Sequence, residues 1–320
     1  MSAGEVTIRS YRRGDEDAIQ EAFEAVFAKR RPLADWRWKF EQPPRGSRIS
    51  LAFDAGGRLL CQYAAIVLDV AWSGETILAG QIVDVLSRAG GGLGRRGTPF
   101  LRTVEDFLAD AAAGGLAFIY GFPGERHQRV GEIAGLYNRT APIERLTCEL
   151  EAPWPETPRG ALTEGFDAAA LDRLWGRSRT RYRAAAVRDA AWFAWRYAAR
   201  PRSDYAQLGV RRGGQCRAWG VLAADGETAR WVDLVWDGES PADLAALAAA
   251  IARRARESGA TRLELWLQGD PAARKALLEC GFASGIDPER RLSVIVLDPG
   301  LELDAVLSGL YLTLGDSDHL

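Results

Sequence analysis

Residues 82–99 read IVDVLSRAGGGLGRRGTP, and this segment decides how the surrounding chain folds. The apolar residues within Ile77–Leu86 predict a buried strand, and an apolar helical pattern follows Pro99. Thr98 and Pro99 are typical of the N-cap and the first residue of a helix. The five glycines between strand and helix let backbone N–H groups converge on a ligand. Because a helix N-terminus and the charges of Arg88, Arg95 and Arg96 attract phosphate, the segment predicts a site for a pyrophosphate-bearing ligand, the alternative being a solvated glycine loop.

The second half of the chain repeats patterns of the first half in the same order. A tryptophan-rich segment, a Val-Asp strand and a helix that starts with a hydroxyl residue and proline each occur twice: Asp35–Phe40 and Trp192–Tyr197, Val83–Val85 and Val232–Leu234, Thr98-Pro99 and Ser240-Pro241. We interpret the tryptophans as packing residues because they recur in both copies. The pattern predicts two copies of one fold.

The predicted fold class is α/β (α+β), with two tandem domains that each contain a mixed central sheet flanked by helices. Helical and strand periodicities alternate in each half, and Pro-rich residues 152–158 separate the halves. We expect one domain over residues 1–152, a second over 160–300 and a C-terminal tail over 301–320. We expect the tail to be solvated, the alternative being that its carboxylates meet a cationic amine.

Length and composition exclude several classes of protein. The 320 residues, 47% hydrophobic and 26% charged, suffice for two domains with sizeable cores. The 41 basic and 43 acidic residues nearly cancel, which predicts no nucleic-acid partner. Four scattered cysteines and two histidines predict no metal site. No apolar run reaches the roughly 18–20 residues of a membrane span, so we expect no membrane partner and a cytoplasmic protein.

Several motifs of the first copy resemble those of the GNAT-type acyl-CoA N-acyltransferases. The matching segments are Ile8–Tyr11 with Asp15, Tyr63–Ile66, Gln81–Val85, the glycine/arginine loop, Tyr120–Pro123 and Gly135–Tyr137. The resemblance implies that residues 1–152 bind acetyl-CoA or another acyl-CoA and catalyse acyl transfer. It also implies a small-molecule or peptide amine as acceptor, and leaves the oligomeric state open, a homodimer included.

The resemblance further implies which residues hold the cofactor. The strand before the loop pairs with the pantetheine arm in this family, and the loop with the helix N-terminus holds the pyrophosphate. The residues concerned here are Val85 and Ser87 along the arm, and Gly92, Gly94, Arg95, Arg96, Gly97 and Thr98 around the phosphates.

The second copy lacks this cofactor apparatus. Its link from Asp233 to Pro241 is seven residues shorter than the link from Asp84 to Pro99. The shorter link contains Asp237 and Glu239 instead of arginines, and these acids would repel a phosphate. We therefore expect residues 160–300 to be a degenerate GNAT-like domain.

Candidate catalytic residues lie in and after the two central strands of the first copy. Acyl transfer requires that the amine is neutral, that the oxyanion is stabilised and that the leaving thiolate receives a proton. Asp84 is a candidate base because burial would raise its pKa, the alternative being a hydrogen-bonded structural aspartate. Glu125 and His127 are the other candidate bases, or solvated residues at a helix start. Tyr120, Tyr137 or water would protonate the thiolate.

The sequence therefore predicts direct transfer of an acyl group from CoA to an amine in a ternary complex. Two other functions stay open. One is a CoA-binding or interaction module with weakened catalysis, and the other is a Fem-type aminoacyl or peptidyl transferase, which tandem GNAT-like copies also resemble.

Overall fold

The computed structural model describes residues 5–88, 97–133, 135–136, 139–151, 162–201, 204–224 and 226–318, without the side chains of residues 126, 127 and 130. The helices are α1 (Glu16–Phe27), α2 (Leu33–Phe40), α3 (Pro99–Ala113), α4 (Glu125–Ile133), α5 (Ala168–Ser178), α6 (Ala190–Phe193), α7 (Pro241–Glu257), α8 (Pro271–Glu279) and α9 (Leu303–Gly309). The strands are β1 (Thr7–Ser10), β2 (Ser47–Phe53), β3 (Leu59–Trp72), β4 (Glu75–Ser87), β5 (Leu116–Gly121), β6 (Thr140–Glu149), β7 (Leu162–Glu164), β8 (Ala184–Ala186), β9 (Tyr205–Arg212), β10 (Gln215–Ala223), β11 (Thr228–Trp236), β12 (Arg262–Trp266), β13 (Ala283–Val296) and β14 (Leu310–Tyr311).

The order of these elements occurs twice along the chain. Each copy has a first strand, two helices, three further strands, a helix, a strand, a helix and a last strand, with β8 as an addition in the second copy. The first copy runs from β1 to β6 and the second from β7 to β13. The mixed α/β class and the tandem repeat predicted from the sequence are confirmed.

The chain divides into two compact units. Unit 1 contains the chain up to Asp69, Ile77–Ala141 and Glu289–Leu307, and unit 2 contains Val70–Thr76, Pro142–Pro288 and the chain from Ser308 on. In unit 1 the strand order is β1-β2-β3-β4-β5-β13, and in unit 2 it is β6-β12-β11-β10-β9-β7. β4 pairs parallel with β5 in unit 1, and β11 pairs parallel with β12 in unit 2.

Each unit contains the last strand of the other copy. β13 pairs antiparallel with β5 in unit 1, and β6 pairs antiparallel with β12 in unit 2. The compact units therefore differ from the sequence repeats of 1–152 and 160–300. The reason is that β5 and β12 each pair with a strand from the other repeat, which is distant in sequence. The repeat boundaries remain a prediction about the sequence copies.

Helix α3 covers one face of the unit 1 sheet. Thr98 caps it, with its hydroxyl accepting a hydrogen bond from Leu101 N at 3.4 Å, and Pro99 takes the first position, as the sequence predicts. Its apolar side packs on β2, β3 and β5 in a core cluster that includes Tyr63, Phe107 and Ile119. Burial of this apolar area holds the helix on the sheet.

The C-terminal residues are not a solvated tail. Leu310–Ser317 are buried, and Thr313 caps a short 3-10 helix over Leu314–Asp316. The expectation of a solvated tail is therefore wrong for these residues. The physical reason is long-range: the carboxylate of Asp316 meets the guanidinium of Arg188, a residue far away in the sequence.

Candidate active site

Strands β4 and β5 separate part-way along their length. Their parallel register runs from Leu78 with Leu116 to Gln81 with Tyr120, and no further pair joins them among the described residues. Three residues later Asp84 has a φ of 48°, in the left-handed region. Ile82 and Val85 both pack against the core under α3, which a regular two-residue alternation would not allow. Asp84 therefore has the irregular conformation typical of a bulge residue, and it lies just after the last register pair of β4 and β5.

Asp84 is a buried carboxylate between two cations. Its side chain is 6% exposed, and it contacts the Arg31 guanidinium and, at 2.9 Å, Lys39 Nζ. Burial alone would raise the pKa of Asp84, but the charges of Lys39 and Arg31 outweigh burial and hold this pKa below its ordinary value. The expected rise in pKa is therefore wrong. A carboxylate held in its charged form by two cations is a weak proton acceptor.

The other candidate catalytic residues lie in β5 and in the segment that follows it. Tyr120 is 2% exposed in β5, and its ring lies 5.9 Å from that of Phe122. Glu125 begins α4 with its side chain 91% exposed, and an oxygen lies 3.6 Å from Arg129 Nη2. The side chain of His127 and the whole of Tyr137 lie outside the described residues. Of the catalytic candidates whose side chains are described, Asp84 and Tyr120 are buried and Glu125 is open to solvent.

Of the predicted cofactor residues, the structure describes those at the two ends of the glycine/arginine loop. Val85 is half-buried beside the core, and Ser87 Oγ lies 3.5 Å from Cys61 Sγ. Gly97 has a φ of 79° directly before the Thr98 cap, a conformation that favours glycine. Gly92, Gly94, Arg95 and Arg96 lie in residues 89–96, outside the described part of the chain.

Arg88, at the near end of the loop, has a protein partner. It is 7% exposed, and its Nη2 donates to Glu21 Oε1 at 2.9 Å. Its sequence interpretation as an additional phosphate ligand therefore needs correction, because this guanidinium ties the end of β4 to α1. Glu21 also lines an open cavity of about 380 Å³ between α1 and α2, together with Gln20 and Arg31.

The second copy repeats the buried ion pair of the first. Arg188 Nε donates to Asp233 Oδ1 at 2.8 Å, and Asp233 is the sequence equivalent of Asp84. Arg188 precedes Arg196 by the same eight residues by which Arg31 precedes Lys39. The sequence interpretation missed Arg31 and Lys39 as partners of the aspartate. The repeated spacing of the cations is visible in the sequence, but it does not say which acidic residue they contact.

The chain's own C-terminal segment fills the second copy next to this pair. Tyr311 Oη donates to Leu234 O at 2.7 Å, and Leu234 follows Asp233 as Val85 follows Asp84. Leu312 and Gln268 exchange two backbone hydrogen bonds of 3.1 Å just beyond β12. The segment thus contacts β11 at the place equivalent to the one where the cofactor arm is expected along β4.

The acids of the short link in the second copy have protein partners as well. Arg217 Nη1 donates to Asp237 Oδ2 at 3.2 Å and to Glu239 Oε2 at 2.5 Å.

Trp36, Trp38, Trp192 and Trp195 are 0–4% exposed, which confirms their interpretation as packing residues. Within the described residues no group of side chains forms a metal site. None of the helices in that part of the chain has the length and apolar character that a membrane crossing requires.

Comparisons with known proteins bear on the domain that contains β4 and β5. Residues 7–127 match the family model of the acetyltransferase (GNAT) domain. Residues 7–127 therefore resemble a GNAT domain. A search of the curated proteins found no match. The matched region contains Asp84, both ends of the glycine/arginine loop and Glu125, and it excludes the C-terminal segment.

Solved structures extend the likeness beyond the GNAT domain. A probable N-acyltransferase from Enterococcus faecalis V583 has a TM-score of 0.69 at 15% identity, over 92% of this chain and 73% of that one. A tandem GNAT protein from the clavulanic acid biosynthesis pathway has a TM-score of 0.61 at 13% identity, over 93% and 100%. N-myristoyltransferase of Saccharomyces cerevisiae, solved with myristoyl-CoA, has a TM-score of 0.60 at 10% identity, over 92% and 83%. At these identities the likeness is one of fold.

Proposed function

We propose that this protein transfers an acyl group from an acyl-CoA, acetyl-CoA in the first instance, to the nitrogen of a small-molecule or peptide amine. The observation that carries the proposal is the separation of β4 from β5 after Gln81, in a GNAT domain whose α3 begins with a capped N-terminus. The gap leaves backbone groups of β4 available to an extended pantetheine arm along Val85 and Ser87. The N-terminus of α3 favours the pyrophosphate.

The reaction proceeds directly within a ternary complex. The neutral amine attacks the thioester carbonyl carbon, the C–S bond breaks, and the CoA thiolate takes up a proton. The structure favours an exposed group or solvent over Asp84 as the acceptor of the amine proton, since the two cations hold Asp84 charged. We assign the role to Glu125, which lies four residues after the end of β5. The proposal includes a cytoplasmic location, where the four free cysteines stay reduced.

The defining test is release of free thiol from acetyl-CoA in the presence of a panel of amines. Thiol release that depends on an amine, together with mass spectrometry of the acylated amine, is the expected result. CoA binding without transfer to any amine would instead favour the CoA-binding module.

The two arginines of the loop should dominate cofactor affinity. We expect the double variant Arg95→Glu, Arg96→Glu to weaken CoA binding by well over tenfold, because two attractive contacts with phosphate become repulsive. Calorimetric titration with CoA measures this. Arg12→Glu, Arg13→Glu is a matched control, since it changes the same charge at an exposed pair before α1. Equal CoA affinity of both double variants would remove the pyrophosphate site from the loop.

The whole chain should bind one equivalent of CoA. In the second copy, Asp237 and Glu239 replace the arginines and the segment with Tyr311 contacts β11, so we expect binding in the first copy alone. Calorimetry gives the stoichiometry directly. Saturation at two equivalents per chain would contradict the interpretation of the second copy as degenerate.

A further inference from the structure

The face of the unit 1 sheet opposite α3 carries buried polar side chains. Tyr63 and Ile119 point into the core under α3, so the strand neighbours Gln62 and Tyr120 point to the other face. A Cβ on Gly80 would meet Ile119 and Ala65 of that core at 3.0 and 3.2 Å, so Gln81 also points to the opposite face. Three residues after Gln81, the Asp84 carboxylate contacts Arg31 and Lys39.

Gln81 is the exceptional member of this polar set. It is 1% exposed, and neither Oε1 nor Nε2 has a hydrogen-bond partner among the described residues. Its neighbour Gln62 differs, because Gln62 Nε2 donates to Asp84 O at 3.0 Å. A buried carboxamide without partners on either atom is strongly unfavourable, so such groups are rare unless a ligand or a water completes them.

The position of Gln81 favours the reacting molecules as its partners. Gln81 and Tyr120 form the last register pair of β4 and β5, so Gln81 lies at the closed end of the gap. A pantetheine arm laid along Ser87 and Val85 would bring its thioester toward this end. The amine must meet the thioester there. The inference therefore rests on the proposed function.

We propose that Gln81 is a specificity-determining residue for the acceptor. Oε1 accepts a hydrogen bond from the amine N–H, and Nε2 donates to an oxygen that the acceptor carries close to its nitrogen. The acceptor class is thus amines with a neighbouring hydroxyl or carbonyl oxygen. Gln81 exchanges no proton: the nitrogen lone pair forms the bond to the carbonyl carbon, and the thiolate leaves from the same carbon.

A site built to hydrogen-bond a substrate oxygen discriminates strongly against an analogue without it, because its own polar atoms then stay unpaired. The wild-type protein should therefore acetylate 2-aminoethanol with a kcat/KM at least about tenfold above that for propylamine, a molecule of similar size. In Gln81→Met the side chain keeps its length and loses both polar atoms. We expect this variant to lose the preference and to bind CoA with unchanged affinity.

The thermal stability of the free protein supplies a readout that is independent of catalysis. Removing two unpartnered buried atoms should raise the Tm of Gln81→Met by about 2–4 °C. Gln207→Met, at a buried glutamine of β9 in unit 2, is the matched control and should leave the preference between the two amines unchanged.

Each outcome has a distinct meaning. A lower Tm for Gln81→Met would show that the amide already has protein partners and would overturn the assignment. A preference for 2-aminoethanol that survives in Gln81→Met, or equal wild-type rates with the two amines, would overturn it as well. Absence of any amine-dependent thiol release by the wild type, with the Tm of Gln81→Met raised as expected, would instead overturn the proposed function.

Discussion

Asp84→Asn is expected to lower the free energy of unfolding by about 3–5 kcal/mol, the range for removing one partner of a buried ion pair. Asp84 faces Arg31 and Lys39 with a side chain that is 6% exposed, so the variant leaves two nearly buried cations without their counter-charge. Urea denaturation at pH 7 measures the loss. Asp110→Asn is the matched control: Asp110 pairs with Arg48 at 2.6 Å but is 42% exposed, and we expect a loss below about 1 kcal/mol.

The effect of Asp84→Asn should depend on pH in a fixed direction. The cations hold the folded-state pKa of Asp84 below its ordinary value of 3.8, so the carboxylate stabilises the folded state above that value. The stabilisation is lost as the pH falls through the folded-state pKa. Wild type and variant should therefore converge below about pH 4. A constant difference between them down to strong acid would contradict the paired, charged state of Asp84.

Glu125→Gln is expected to lower kcat by roughly 10²–10⁴, the range lost with a general base, and to leave CoA affinity nearly unchanged. Glu125 is 91% exposed, so the substitution should also leave the Tm unchanged and the kinetic loss can be assigned to proton transfer. Glu132→Gln, an exposed glutamate on the same helix α4, is the matched control and should retain the wild-type kcat.

Comparison with the Asp84 variant separates the candidate bases. Near-normal turnover of Glu125→Gln, combined with a collapse of kcat in an Asp84→Asn protein that is still folded, would return the role of base to the strand. Near-normal turnover of both would mean that the amine arrives already neutral. His127→Ala should lower kcat much less than Glu125→Gln if His127 only borders the acceptor.

Local signals in the sequence predicted the elements around the site well. The cap and proline at Thr98-Pro99 fix the start of α3 because their effect is confined to one helical turn. The repeated Val-Asp motif correctly predicted β4 and β11, because a strand can be recognised from a few neighbouring residues.

Contacts between distant residues were beyond the sequence interpretation. Arg31 and Asp84 are 53 positions apart in the sequence. Because this partner was not predicted, burial alone suggested a raised pKa for Asp84, whereas its pKa is lowered. Asp316 and Arg188 are 128 positions apart, and the polar sequence around Asp316 is equally typical of a solvated tail. Charges predict a partner of opposite sign, but only the fold says which residue it is.

The exchange of last strands affects how this protein folds during its synthesis on the ribosome. Domains usually fold in turn as each one emerges during synthesis. Here β5 of the first copy receives its antiparallel neighbour from Ser293–Val296, so nearly the entire chain must emerge before that edge is covered. Until then the nascent first copy exposes an open strand edge, the kind of surface that chaperones protect and that invites aggregation. Pausing translation between the two copies should therefore leave an intermediate that depends on chaperones, rather than a finished domain.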